Sequence, residues 1–193
     1  MKKITLIGLA SLSFCLIQAC SGPKDSKASA DSVNSAKADS AKKDSSVTSV
    51  DQDDAKFAVA AANGGMAEVE LGKLAQEKAV NSKVKDFGAM MVSDHSKANA
   101  EMMALAKSKG ITLPAAIDKD EQKLKDDLSA KSGADFDKAY VSNMIDDHKT
   151  DIKEFEDASK NCKDADLKAF AVKTLPTLRM HLDAIQKIHD SMK

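Results

Sequence analysis

From about residue 53 to the C-terminus, apolar side chains recur every three to four residues, and no stretch shows the strict alternation of a half-buried strand. That pattern restricts the domain to helices. Four long amphipathic segments follow from it. The first runs from about Asp53 to Val80, with an inner stripe of Phe57, Ala60, Ala61, Gly64, Glu68, Leu71, Gly72 and Ala75. Its small residues allow another helix to approach closely. The second runs from about Ser82 to Lys109, with Val84, Phe87, Gly88, Met91, His95, Ala98, Met102 and Leu105 facing inward. The third, about Asp135 to Ser159, carries Phe136, Tyr140, Met144, His148, Ile152 and Phe155. The fourth, about Ala165 to Met192, carries Leu167, Phe170, Ala171, Leu175, Leu178, His181, Leu182, Ile185 and Ile188.

The breaks between segments set the topology. Asn81-Ser82 is a tight turn with a ready N-cap, and Gly110 is placed as a helix C-cap. A short loop around Asn161 to Asp164 joins the last two segments. Between the second and third lies a connection of about 23 residues, Ile111 to Gly133, broken at Leu113-Pro114. Asp118 can cap a short helix there carrying Leu124 and Leu128. Pro176 is expected to kink or split the fourth segment. Two tight hairpins joined by a long crossover containing a short helix predict an all-α, ferritin-like four-helix bundle over residues 55–193.

The segment ahead of the bundle has a different character. Lys2 and Lys3 precede a mostly apolar run from Ile4 to Ile17, too short and wrongly flanked for a transmembrane helix. It ends in Leu16-Ile17-Gln18-Ala19-Cys20, a lipobox with a small residue before the cysteine. Residues 1–19 therefore read as a lipoprotein signal peptide, with Cys20 as the lipidated residue after cleavage. Its acyl chains (palmitate among them) would carry the membrane affinity at about 0.8 kcal/mol per buried methylene. Ser21 follows, not Asp, so the expected address is the cell envelope, at the outer membrane facing the periplasm. Residues 20–54 are Ser-, Ala-, Lys- and Asp-rich with almost no large apolar side chain. They read as a disordered tether with a reach of about 30 Å.

Composition narrows the function classes. The formal net charge of −1 leaves no basic footprint, so nucleic acid is not an expected partner. The membrane is the expected partner, through the lipid, and nothing identifies a protein partner. Cys15 leaves with the signal and Cys20 takes lipid, so the remaining Cys162 has no intramolecular disulfide partner.

Titratable side chains normally avoid a core stripe, yet each long helix puts one there: Glu68, His95, His148 and His181. Glu68 and His95 lie about thirteen residues either side of the first hairpin turn, so at 1.5 Å per residue they should be level. The same count leaves His148 and His181 mismatched by roughly 7 Å. A Glu-His-His-His set suits a divalent transition metal such as zinc, copper or iron. Met91 and Met144 each precede a histidine by four residues and Met180 adjoins His181, a combination that favours copper. Asp94 and Asp147 immediately precede His95 and His148 and are placed to orient a ring as outer carboxylate partners. The alternative is a buried polar network with no metal. The Glu-x-x-His pairs of di-iron bundles are absent, which argues against oxygen chemistry. There is no Ser-His-Asp order, Gly-rich phosphate loop or Cys-x-x-Cys pair, so enzymatic activity is not expected.

"AEVELGKLA" (Ala67–Ala75), "VKDFGAMMVSDH" (Val84–His95), "FDKAYVSNMIDDH" (Phe136–His148) and "LKAFAVKTLPTLRMHL" (Leu167–Leu182) jointly resemble the bacterial exported proteins of "domain of unknown function 4142", often labelled putative outer-membrane proteins. The resemblance covers about Phe57 to Ile188. It implies a ferritin-like fold and points to Glu68, Asp94, His95, His148 and His181 as the recurrent polar positions, but it implies no activity. Two functions stay open: a metal-binding envelope bundle, or a non-catalytic structural or partner-binding envelope or stress protein with no metal.

Overall fold

The computed structural model describes residues 25–43 and 50–192. The expected signal peptide and Cys20 lie outside these residues. Six helices make up the described chain: α1 Ser26–Lys43, α2 Gln52–Lys78, α3 Ser82–Lys109, α4 Lys119–Ser129, α5 Gly133–Asn161 and α6 Ala165–Ser191. Among the described residues there is no strand, and no helix is long and apolar enough to cross a membrane.

Local chemistry sets the boundaries. The side chain of Asn81 accepts the Lys83 N–H at 2.9 Å, that of Asp118 accepts Asp120 and Glu121, and that of Asp164 accepts Asp166 and Leu167. Each satisfies donors that the first helical turn leaves unpaired. Gly110 ends α3 at φ 66°, in the left-handed region. Pro176 does not split α6, which continues through it. The proline is exposed, and so is Val172 one turn earlier, so the carbonyl it leaves without a partner faces water.

The helices pack as two hairpins, α2 with α3 and α5 with α6. α2 also meets α5, α3 meets α6, and α4 lies across α2 and α5. The hairpins repeat each other. Asp54 and Asp137, Asn81 and Asp164, Val84 and Leu167, Phe87 and Phe170, and Met102 and Ile185 are all separated by one constant interval. The repeat carries a reciprocal clasp. Buried Asp54 of α2 accepts the N–H groups of Lys163 and Asp164 in the second turn. Buried Asp137 of α5 accepts those of Val80 and Asn81 in the first.

Within the first hairpin the backbones come close at two glycines. A Cβ at Gly72 would lie 2.7 Å from the Gly88 carbonyl oxygen, and one at Gly88 would lie 2.6 Å from that of Gly72. The core has two apolar halves. One gathers Ala58, Met102, Phe155, Leu167, Phe170 and Leu178, and the other Leu71, Phe87, Phe136, Tyr140, Met144 and Ile185. Each large side chain so buried contributes about 1.5–3 kcal/mol. Glu68, His95, His148 and His181 are buried as well.

The expected disordered tether needs correction over residues 26–43, which form α1. It lacks large apolar residues, but Ala30, Asn34 and Ala38 recur every four positions and are buried. Its alanines favour helix, and its docking is polar. Asp25 accepts the Lys119 N–H at 2.9 Å and Ser26 that of Ala115 at 2.9 Å. Asn34 exchanges two 2.8 Å bonds with the backbone of Thr112, and Lys37 donates to the Gly110 carbonyl at 2.7 Å. α1 therefore runs along the crossover between α3 and α4 and packs against α2.

A buried histidine trio as candidate metal centre

Helix geometry brings the four stripe residues together. Glu68 lies ten residues before the end of α2, and His95 thirteen after the start of α3. His148 lies thirteen before the end of α5, and His181 sixteen after the start of α6. Both hairpins thus carry the same three-residue stagger, about 4.5 Å of rise. Side chains lean toward the N-terminus of their own helix. Those of α2 and α5 lean away from the turn and those of α3 and α6 lean toward it, which closes the stagger. The mismatch expected in the second hairpin is absent: the His148 and His181 ring centroids are 5.4 Å apart. His95 lies 5.3 Å from His181 and 6.0 Å from His148.

Each ring is held through one nitrogen. His95 Nδ1 meets Glu68 Oε2 at 2.6 Å. His148 Nδ1 donates to the Met144 carbonyl at 2.9 Å. His181 Nε2 meets Asp94 Oδ2 at 3.2 Å. The opposite nitrogens, His95 Nε2, His148 Nε2 and His181 Nδ1, are buried and have no hydrogen-bond partner. One nitrogen from each ring can lie within 4.8 Å of the other two. Glu68 Oε1 is likewise unpartnered, 3.4 Å from His148 Nε2. A cavity of about 20 Å³ opens beside Glu68 and His95, enough for one water-sized occupant. A wider concavity of about 880 Å³, between the start of α2 and the end of α5, touches none of the four residues.

Burial sets the protonation states. It lowers His95 to about 4, His148 to about 3 and His181 to about 4, so the rings are neutral near pH 7. For His148 and His181 the neighbouring imidazoles add to the effect. Burial pushes the Glu68 carboxyl well above its usual range, and the charge of Glu121 adds to this. Phe87 packs against both His148 and His181 at 6.0 and 6.3 Å.

The other sequence candidates fall differently. Asp94 faces His181 and not its chain neighbour His95. Asp147 makes no hydrogen bond to a ring; one of its oxygens lies within 4.8 Å of donor atoms of Glu68 and His148. Met180 is exposed, and Met144 serves through its backbone carbonyl, so the expected thioether contribution shrinks. Cys162 is buried at the end of α5, its thiol pushed up to about 12 by burial. Sequence reading missed Asp151, which lines the cavity, and the unpartnered Tyr140 hydroxyl. The four-residue spacing of Asp147 and Asp151 was the available signal for the first.

Residues 39–188 match the family described as "Domain of unknown function (DUF4142)", and the chain belongs to it. No curated protein matches the chain. Among solved structures, the chain is similar to a DUF305 fragment from Deinococcus radiodurans, at 11% identity and a TM-score of 0.65. The similarity covers 73% of this chain and 97% of that one, and shows a shared helical fold.

Proposed function

We propose that this member of the DUF4142 family is a lipid-anchored envelope protein whose ferritin-like bundle binds a divalent transition metal through His95, His148 and His181, with Glu68 as the oxygen donor. One observation carries the reading: three buried imidazoles converge with their free nitrogens unpartnered while the opposite nitrogens are held. Metal-binding histidines are oriented in this way, by a carboxylate or carbonyl on the second nitrogen. A buried polar network with no ligand would instead be expected to pair those atoms, because an unsatisfied buried group costs about 1–3 kcal/mol. Tetrahedral coordination at 2.0–2.1 Å needs ligand nitrogens about 3.3 Å apart, a modest contraction of the trio. The nitrogen and oxygen donors suit zinc or copper(II) best.

Metal analysis of protein purified without a histidine tag, followed by melting with and without Zn²⁺, tests the site. Zn²⁺ at a hundredfold excess over Kd should stabilise by about 2.7 kcal/mol, and His148→Ala should remove the gain. If His148→Ala lowers the melting temperature equally with and without metal, the cluster is a polar network only. The anchor is tested separately. Labelled palmitate should enter the wild type and not Cys20→Ala, and a labelled mutant would show the anchor to lie elsewhere.

A further inference from the structure

The histidine nitrogens are sealed from solvent, so a cation needs a way in. Asp94 is the partly exposed carboxylate nearest His181, but both its oxygens are engaged, one with His181 and one with Lys97 at 3.3 Å. The opposite side differs. Asp147 and Asp151 stand one turn apart on α5, half-buried, and among the described residues neither is paired with a lysine or arginine. Asp147 can place an oxygen within 4.8 Å of donor atoms of both Glu68 and His148. Asp151 lines the cavity that reaches Glu68 and His95. Its Oδ1 lies over Gly64, 3.8 Å from where a Cβ would stand, so the missing side chain leaves the lane open. Burial, and after it the neighbouring carboxylates from Glu68 to Glu121 of α4, raises the Asp151 carboxyl well above its usual range. At the inner end stands Glu68, 1% exposed, with Oε1 unpartnered.

We propose that Asp147, Asp151 and Glu68 form the loading path of the histidine site: a divalent cation docks among these oxygens at the α2–α5 seam and passes along Glu68 to the imidazoles. This rests on the metal-binding reading above. The carboxylates act as a way-station, holding a hard, partly hydrated cation through oxygen before nitrogen ligands replace its water. They stand along the path and not at the imidazoles, so they lower its barrier in both directions.

Stopped-flow uptake of Co²⁺ by the full chain, followed by its visible absorption, tests the path. At low ionic strength Asp147→Asn/Asp151→Asn should load about 10-fold more slowly than wild type. Release into EDTA should slow as well, and the final Co²⁺ spectrum, set by the three imidazoles, should keep its shape. Asp151→Asn alone should show a smaller slowing and carries the test if the double variant does not fold. Wild-type rates in the variants, or a lost final spectrum, overturn the path. If wild type binds Co²⁺ and His148→Ala does not, that failure leaves the metal site standing. No Co²⁺ binding by wild type overturns both.

Discussion

Asp94 and His181 meet across the α3–α6 interface, with Oδ2 3.2 Å from Nε2. Neighbours on a helix diverge by about 100°, so Asp94 turns away from the ring of His95 and meets one on the facing helix. Asp94 thereby fixes which His181 nitrogen points inward. Outer partners of this kind are worth 10–100-fold in metal affinity. Asp94→Asn should therefore weaken Zn²⁺ binding by about that factor, measured by competition with a chelator, while the metal-free melting temperature moves little. Unchanged affinity would show that the contact does not position the ring.

Acid stability separates the histidines from Glu68. The three rings have folded values of about 4, 3 and 4 against 6.5. The unfolded chain binds more protons there, so their contribution is full above pH 6.5 and is lost as pH falls toward 4. Glu68 is raised and acts oppositely: its contribution is present below 4.5 and is lost as pH rises through its folded value. In metal-free Glu68→Gln the opposing part is gone. Its melting temperature should climb from pH 4 to 6.5 more steeply than that of wild type. A profile parallel to the wild type would mean that Glu68 does not titrate in this window.

The glycines of the first hairpin are not interchangeable. Gly72→Ala and Gly88→Ala drive a methyl into the facing backbone and should each cost about 1–3 kcal/mol, against a gain of about 1 from helix propensity. Gly64→Ala meets nothing nearer than 3.8 Å and should stabilise by up to about 1 kcal/mol. Urea unfolding of the three variants checks the sign of each. Tolerance at Gly72 would contradict the close contact, and destabilisation by Gly64→Ala would contradict the open space over it.

The long helices were legible because their stripes and caps agree: Asn81, Gly110, Asp118 and Asp164 all stand where the chain stops or starts a helix. The inward placement of Glu68, His95, His148 and His181 followed from the same periodicity. Three things were not legible. The orientation of Asp94 depends on a facing helix, which spacing along one helix does not reveal. The repeat between hairpins lies in pairs such as Asp54 and Asp137 that differ from their sequence surroundings only by being buried. And α1 is held by backbone groups of the crossover and by small side chains, Ala30 and Ala38, so its sequence shows no stripe of large apolar residues.

α1 is fixed to the crossover at two points, where Asp25 accepts the Lys119 N–H and Asn34 pairs with Thr112. Asn34 is the docking residue to remove, since its amide satisfies both backbone groups of Thr112. Asn34→Ala strands those groups at about 1–3 kcal/mol, which favours local opening of this first helix. Amide hydrogen exchange in residues 26–43 should become fast in Asn34→Ala, while exchange in α2, α3, α5 and α6 and the melting temperature stay near wild type. Retained protection of α1 would show that Ala30 and Ala38 suffice to hold it. A loss of protection through the whole bundle would show that α1 is part of the cooperative fold.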